Sequence, residues 1–280
     1  MCATCGCGDD GAVITMAGHA HPDDHGHRHD HDHPHDHPHD HPDDHEHHHH
    51  HAVHTETISL EHKVLAKNDL LAEQNRRWLA ERNILALNVT SSPGAGKTTI
   101  LERTIREFGA DRPIAVIEGD QETLRDAERI RAAGARAVQV NTGAGCHLDA
   151  AMVQRALEAL DPETDSLLFI ENVGNLVCPA LFDLGEHSKV VVISVTEGAD
   201  KPLKYPHMFA ESKLAIINKV DLLPYVNFDV DECANYARSV NPSVNILPMS
   251  ATSGDGIAQW YAWLKVRANS GMSQRSVDKT

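Results

Sequence analysis

The chain has 280 residues, is 41% hydrophobic and carries a formal net charge of −16, enough apolar content for one large α/β domain or two small ones. The charge is unevenly placed: residues 1–54 hold 18 of the 22 histidines with ten Asp, one Glu and one Arg, so −10 belongs to that segment and −6 to the rest. Nucleic acid and anionic membrane are thereby excluded as partners, because both demand clustered Lys and Arg.

At the amino terminus Cys2, Cys5 and Cys7 form a C-x-x-C-x-C loop, with Gly6 and Gly8 supplying the freedom to wrap. Loss of Met1 would add the free amine of Cys2 as a fourth donor. That nitrogen–sulfur set suits square-planar nickel, whereas four sulfurs in a tetrahedron would suit zinc. From His19 to His54 the chain alternates His with Asp and Pro and has little apolar surface to offset the entropy of ordering, which predicts a disordered, metal-buffering tail. Neutral imidazole is the ligand form, so such a tract binds near neutral pH and releases in acid. A reactive terminus and a solvated linker are the competing readings. The remaining cysteines, Cys146, Cys178 and Cys233, are scattered, unlike a disulfide framework, and are read as reduced thiols, with Cys233 in the core. With no leader-like start and no apolar run approaching ~20 residues, a cytoplasmic protein is expected.

Between Thr57 and Arg82 the apolar residues Ile58, Val64, Leu65, Leu70, Leu71, Trp78 and Leu79 recur at three- and four-residue intervals, predicting an amphipathic helix. Seven short apolar runs follow, ILALNVT, PIAVIEG, ARAVQVN, SLLFIE, KVVVISV, LAIIN and VNILPMS, each trailed by a longer amphipathic or loop segment. This alternation predicts an α/β fold, a mostly parallel sheet of about seven strands with helices on both faces, and the loop after the first strand, read below, makes it a P-loop NTPase. The organisation is a Cys/His-rich tail at 1–54, one P-loop domain at 55–269 and a frayed tail at 270–280.

The first of these strands runs into Ser91-Ser92-Pro93-Gly94-Ala95-Gly96-Lys97-Thr98-Thr99 and then a helical stretch. A phosphate chain needs converging backbone N–H groups, a helix amino terminus, a Lys and a Mg²⁺-binding hydroxyl, and Gly94 to Thr99 supply these, with Lys97 and Thr98 in the last two roles. Ser91 departs from the general pattern, which has Gly there.

The base is read further on. LAIIN ends in Asn218-Lys219-Val220-Asp221, the guanine signature: a carboxylate at Asp221 accepts from the ring N–H and exocyclic amine together, a donor pair that adenine lacks. Asn218 would brace the loop and the Lys219 stem would cover the base, with Ser250 and Ala251 backing it. Glu171-Asn172-Val173-Gly174 ends the SLLFIE strand where G proteins carry Asp-x-x-Gly, so Glu171 is a candidate for holding Mg²⁺ through water and Gly174 for sensing the γ-phosphate. Asp120 is a second strand-end carboxylate for the same ion, or else a helix N-cap. Asn175 stands where a water-orienting Gln is used elsewhere, which predicts slow turnover.

Inside the domain Cys146 and His147 are expected to open the helix after ARAVQVN, and Cys178 lies four residues past Gly174. Movement of that loop with the γ-phosphate would move Cys178. A hundredfold change in metal affinity needs only about 2.7 kcal/mol. A buried Cys pair is the competing reading.

MCATCGCG, the His tract, SSPGAGKTT, EGDQET, TGAGCHLDA, ENVGNLVCPALFDLG and INKVDLLPYV together resemble the HypB family of hydrogenase nickel-incorporation accessory GTPases over nearly the whole chain. The resemblance implies a GTPase that forms a homodimer on binding GTP, uses Mg²⁺ and hydrolyses slowly. It also implies nickel as cargo for the [NiFe] hydrogenase large-subunit precursor, with a zinc-containing (HypA-like) accessory protein as partner. It carries metal-ligand roles to Cys2, Cys5, Cys7, Cys146, His147 and Cys178, with zinc as an alternative ion at the last three. Two other readings stand beside it. One is a nickel store whose assembly is nucleotide-controlled. The other is a urease-type accessory GTPase, disfavoured because Cys178-Pro179 is followed by Ala180 and not His.

Overall fold

The computed structural model describes residues 13–15, 51–120, 125–143 and 145–273, with side chains from residue 63 to residue 269 of these. The terminal Cys2, Cys5 and Cys7 and most of the His tract lie outside the described residues.

All seven apolar runs form strands: β2 (Leu85–Ser91), β3 (Ile114–Asp120), β4 (Arg136–Asn141), β5 (Leu167–Glu171), β6 (Ser188–Ser194), β7 (Ser212–Asn218) and β8 (Asn245–Pro248). They are parallel, in the order β4-β3-β5-β2-β6-β7-β8. An eighth strand, β1 (Val13–Thr15), pairs antiparallel with β4, so a piece of the segment read as tail joins the sheet edge. Among these, β2, β5 and β6 are buried along their whole length, as strands covered on both faces must be.

The helices are α1 (His51–Glu81), α2 (Lys97–Phe108), α3 (Arg125–Ala132), α4 (Ala150–Leu160), α5 (Cys178–Leu181), α6 (Lys201–Lys204), α7 (Pro206–Glu211), α8 (Val230–Val240) and α9 (Ile257–Ser273). On one face Leu87, Val89 and Phe169 pack with Ile100, Ile130 and Trp260 of α2, α3 and α9. On the other, Ala86, Ile117 and Leu168 pack with Leu79 of α1 and Val153 and Leu157 of α4. Cys233 is buried in a third cluster under α8, as expected, where burial first and Glu232 second push its thiol up to about 12.

Two expectations need correction. First, α1 begins at His51 and only part of its expected apolar face docks: Leu79 is buried and Trp78 packs beside it, whereas Val64 and Leu70 are exposed and Asn68, Ala72 and Asn75 are buried. Hydrogen bonds explain the two buried asparagines. Asn68 Oδ1 accepts from Ala150 N (2.9 Å), and Asn75 Nδ2 donates to Ala150 O (2.9 Å) and Leu184 O (3.1 Å). Second, α9 continues to Ser273, beyond the point where fraying is expected.

Candidate functional site

The motifs singled out between Ser91 and Ala251 follow the ends of parallel strands, so they collect at one edge of the sheet, where doubly wound folds place ligands. The P-loop follows β2. Gly96 caps α2 with φ 100°, a left-handed conformation, and a Cβ there would sit 2.5 Å from Asn218 Nδ2. Among the described residues no side chain caps this helix, so its first amide groups are open to an anion.

Lys97 is buried and its Nζ donates to Ser91 Oγ at 2.7 Å. The departure at Ser91 thus supplies a rest position for the lysine. Burial lowers the pKa of Lys97, with Glu171, Asp126, Glu118 and Asp120 pulling the other way. Thr98 Oγ1 donates to Glu171 Oε1 at 2.8 Å, so the hydroxyl and carboxylate assigned to one ion touch.

Glu118, which sequence reasoning missed, is buried on β3 directly beside Glu171 in the strand register. Its signal was legible: an acid interrupting the apolar run PIAVIEG. Burial, then the charges of Glu171 and Asp120, raise its carboxyl to about 8. Burial raises Glu171 to about 7 against the pull of Lys97 and the Thr98 bond. Glu118 Oε2 and Glu171 Oε2 are buried acceptors with no hydrogen-bond partner among the described residues. Two such oxygens beside a threonine hydroxyl fit a hard divalent cation such as Mg²⁺. Asp120 is the last residue of β3, and the segment 121–124 that would test its capping role is not among the described residues.

On the base side, Asn218 Nδ2 donates to Ala95 O (2.8 Å) and its Oδ1 accepts from Ala251 N (3.2 Å), tying P-loop, β7 and the β8 loop together. Lys219 has φ 64° and its Nζ donates to Gly94 O at 2.7 Å. Ser250 Oγ accepts from Thr252 N and Ser253 N, stiffening the turn. Asp221 Oδ1 is buried with no hydrogen-bond partner among the described residues, which fits an acceptor for guanine donors. A further residue outside the sequence motifs, Lys201, bridges Glu197 (2.8 Å) and Ser92 Oγ of the P-loop (3.0 Å).

Gly174 lies against the P-loop: a Cβ on it would come within 3.1–3.3 Å of Pro93. Eight residues span Glu171 to Cys178, and at the far end Cys178 Sγ stands 3.1 Å from Cys146 Sγ, which stands 3.6 Å from His147 Nδ1. The three ligand atoms all lie within 4.8 Å of one another. The expectation that Cys146 and His147 open a helix is corrected: they sit in the loop before α4, whose N-cap is Asp149, accepting from Met152 N at 2.7 Å. The loop position frees both side chains to face Cys178. His147 is buried against Phe182, ring centroids 4.1 Å apart, and burial lowers its pKa, with Asp149 opposing, so the ring is neutral at pH 7 and in ligand form.

A P-loop at this sheet edge, with an asparagine brace beside it and a cluster of two cysteines and a histidine that could hold a metal ion, defines a member of the P-loop nucleotide-binding class. Residues 85–248 match the CobW/HypB/UreG nucleotide-binding domain. Hydrogenase maturation factor HypB of Escherichia coli K12 is 59% identical over 210 residues, 75% of this chain and 72% of that protein. Among solved structures, HypB from Archaeoglobus fulgidus is 41% identical with a TM-score of 0.68, covering 72% of this chain and 99% of that one. HypB from Helicobacter pylori in complex with nickel is 37% identical with a TM-score of 0.69, covering 73% and 96%. The chain belongs to the HypB family of hydrogenase maturation factors.

Proposed function

We propose that this protein is a cytoplasmic GTPase that binds nickel and delivers it to the large subunit of [NiFe] hydrogenase, its dimerisation and metal transfer set by GTP. A zinc-containing accessory protein is its expected partner. The observation that carries the reading is the Glu171–Cys178 segment, which meets Thr98 at one end and Cys146 at the other. Nickel as cargo is supported by the Helicobacter pylori relative, solved in complex with that metal.

In this reading the amides of Gly94 to Thr99 cradle the phosphates, Lys97 leaves Ser91 to neutralise charge developing on them, and Asp221 reads guanine while Asn218, Lys219, Ser250 and Ala251 hold its pocket. Bound Mg²⁺ would supply electrostatic stabilisation of the transferring phosphoryl group. Thr98, Glu171 and Asp120 would hold it, with Glu118 alongside. Gly174 offers its N–H near the P-loop as the γ-phosphate contact. Asn175 does not replace the missing water-orienting glutamine, because its Oδ1 accepts from Val177 N (2.8 Å) and its Nδ2 donates to Cys146 O (3.3 Å). Slow hydrolysis follows. Cys146, His147 and Cys178 bind nickel, or zinc, with Cys2, Cys5 and Cys7 as the second thiolate site and the His tract as reservoir.

Nickel-loaded protein mixed with metal-free large-subunit precursor should transfer nickel in the presence of GTP and the accessory protein. Transfer should fail with GDP. Equal transfer with GDP would leave a nickel store as the better description.

A further inference from the structure

Asn172 lies between the two halves of the site, and its side chain serves both. It follows Glu171, the partner of Thr98, in sequence, and it is 1% exposed. Its Oδ1 accepts from Val173 N (3.0 Å), within its own segment, and from Leu148 N (3.1 Å), the residue after His147. Leu148 is itself seated at the nucleotide edge: its side chain is fully buried over Gly119, where an added Cβ would approach it to 2.8–3.0 Å, between Glu118 and Asp120.

The orientation of the Asn172 amide is fixed from behind by a chain of buried hydrogen bonds that converges on Glu186. Asn172 Nδ2 donates to Asn88 Oδ1 (3.3 Å), and Asn88 Nδ2 donates to Glu186 Oε1 (3.1 Å). The other oxygen, Glu186 Oε2, accepts from Leu184 N at 2.7 Å. Lys189 Nζ lies 3.9 Å from Glu186 Oε1 and donates to Ala180 O (3.2 Å), two residues after Cys178 in α5. All four side chains are buried. The chain therefore starts at the loop bearing Cys146 and His147 and ends at the helix bearing Cys178. It crosses β2 directly beneath the P-loop. A buried polar chain of this kind holds one geometry, because turning any amide over leaves two like groups facing each other.

We propose that Asn172, oriented by the buried Asn88–Glu186–Lys189 chain, is the positioning residue through which the nucleotide state reaches the metal trio. Displacement of the strand-end segment that carries Glu171 and Gly174 is passed to Leu148 by the Asn172–Leu148 bond, and from there to the adjacent His147. The inference rests on the proposed linkage between GTP and metal, and adds the route.

The test uses the full chain carrying Cys2→Ser, Cys5→Ser and Cys7→Ser, so that thiolate-to-nickel charge-transfer absorption reports Cys146 and Cys178; the remaining Cys233 is buried in the core, and the His tract contributes no such band. Nickel is titrated with a non-hydrolysable GTP analogue bound and with GDP bound, and the ratio of the two affinities is the readout. The parent should show a ratio of about tenfold or more. Asn172→Ala should keep the band and analogue binding while the ratio falls to near one. An unchanged ratio in Asn172→Ala would overturn the proposed route and leave the linkage standing, whereas a parent ratio of one would remove both. Should Asn172→Ala fail to fold, hydrogen exchange at the Leu148 amide of the parent decides. The route requires its protection to differ by about tenfold between the two nucleotides, and equal protection contradicts it.

Discussion

The P-loop and the metal trio share one edge of one sheet, yet they are built on opposite plans. The P-loop is contiguous: Ser91 to Thr99 supplies its own turn, amides, lysine and hydroxyl, and needs from elsewhere mainly the Asn218 brace. The trio takes two ligands from the loop after β4 and one from the start of α5, and its frame comes from β2, β5 and β6. A contiguous site can be assembled locally and its chemistry varied one residue at a time. A site gathered from several strands is sensitive to whatever moves those strands, which is a useful property when one ligand is meant to control another.

The largest expected effect sharpens the autonomy of the nucleotide side. Asp221→Asn replaces a double acceptor by one acceptor and one donor, so preference for GTP over the xanthine nucleotide should fall by on the order of 10⁴-fold, read by competition binding, with the nickel–thiolate band of the nucleotide-free protein unaltered. Lys97→Ala should lower single-turnover hydrolysis by about 10²–10³-fold while leaving that band in place. If either substitution disturbed metal binding without nucleotide, the two sites would be less separable than their construction indicates.

The next effect addresses the frame of the trio. Glu186→Ala strips the acceptor from Asn88 and Leu184 and leaves Lys189 buried without its counter-charge, so stability in urea unfolding should fall by about 3–5 kcal/mol. A change below about 1 kcal/mol would mean that water or rearrangement satisfies these groups. The smallest effect is one of pH. Glu118 and Glu171 keep their protons to about pH 8 and 7 when folded, against about 4.5 in an unfolded chain. Their folded pKa values are raised, so the folded state binds more protons between these limits; the stability they contribute is present below about pH 4.5 and lost as pH rises to about 8. Mg²⁺–nucleotide binding near pH 6.5 should accordingly release protons, measurable by calorimetry in buffers of different ionisation enthalpy, and release little above pH 9.

The same contrast explains what the sequence made legible. Seven strands could be placed because each is a short apolar run bounded by turn residues, and the P-loop and guanine motif because their chemistry is local. β1 could not, since Val13–Thr15 is three residues long and owes its order to the edge of β4. The docking face of α1 was only partly legible: Trp78 and Leu79 pack as their spacing suggests, but Asn68 and Asn75, polar by composition, make the contacts that Val64 and Leu70 do not. Cys146 and His147 were assigned to a helix start although Asp149, three residues before Met152, was the better cap in plain view. The Asn172–Asn88–Glu186 chain had no sequence signature at all: its members are 84 and 98 residues apart.

Linkage of nucleotide and metal is tested most directly within a single turnover. Nickel-loaded protein with the terminal cysteines replaced by serine is mixed with GTP and Mg²⁺, and the nickel–thiolate absorption is followed beside phosphate release. The band should change with the rate constant of hydrolysis, since in the proposed linkage loss of the γ-phosphate would shift the segment that carries Glu171 and Gly174 and with it the trio. A band that stays constant while phosphate is released would contradict the account.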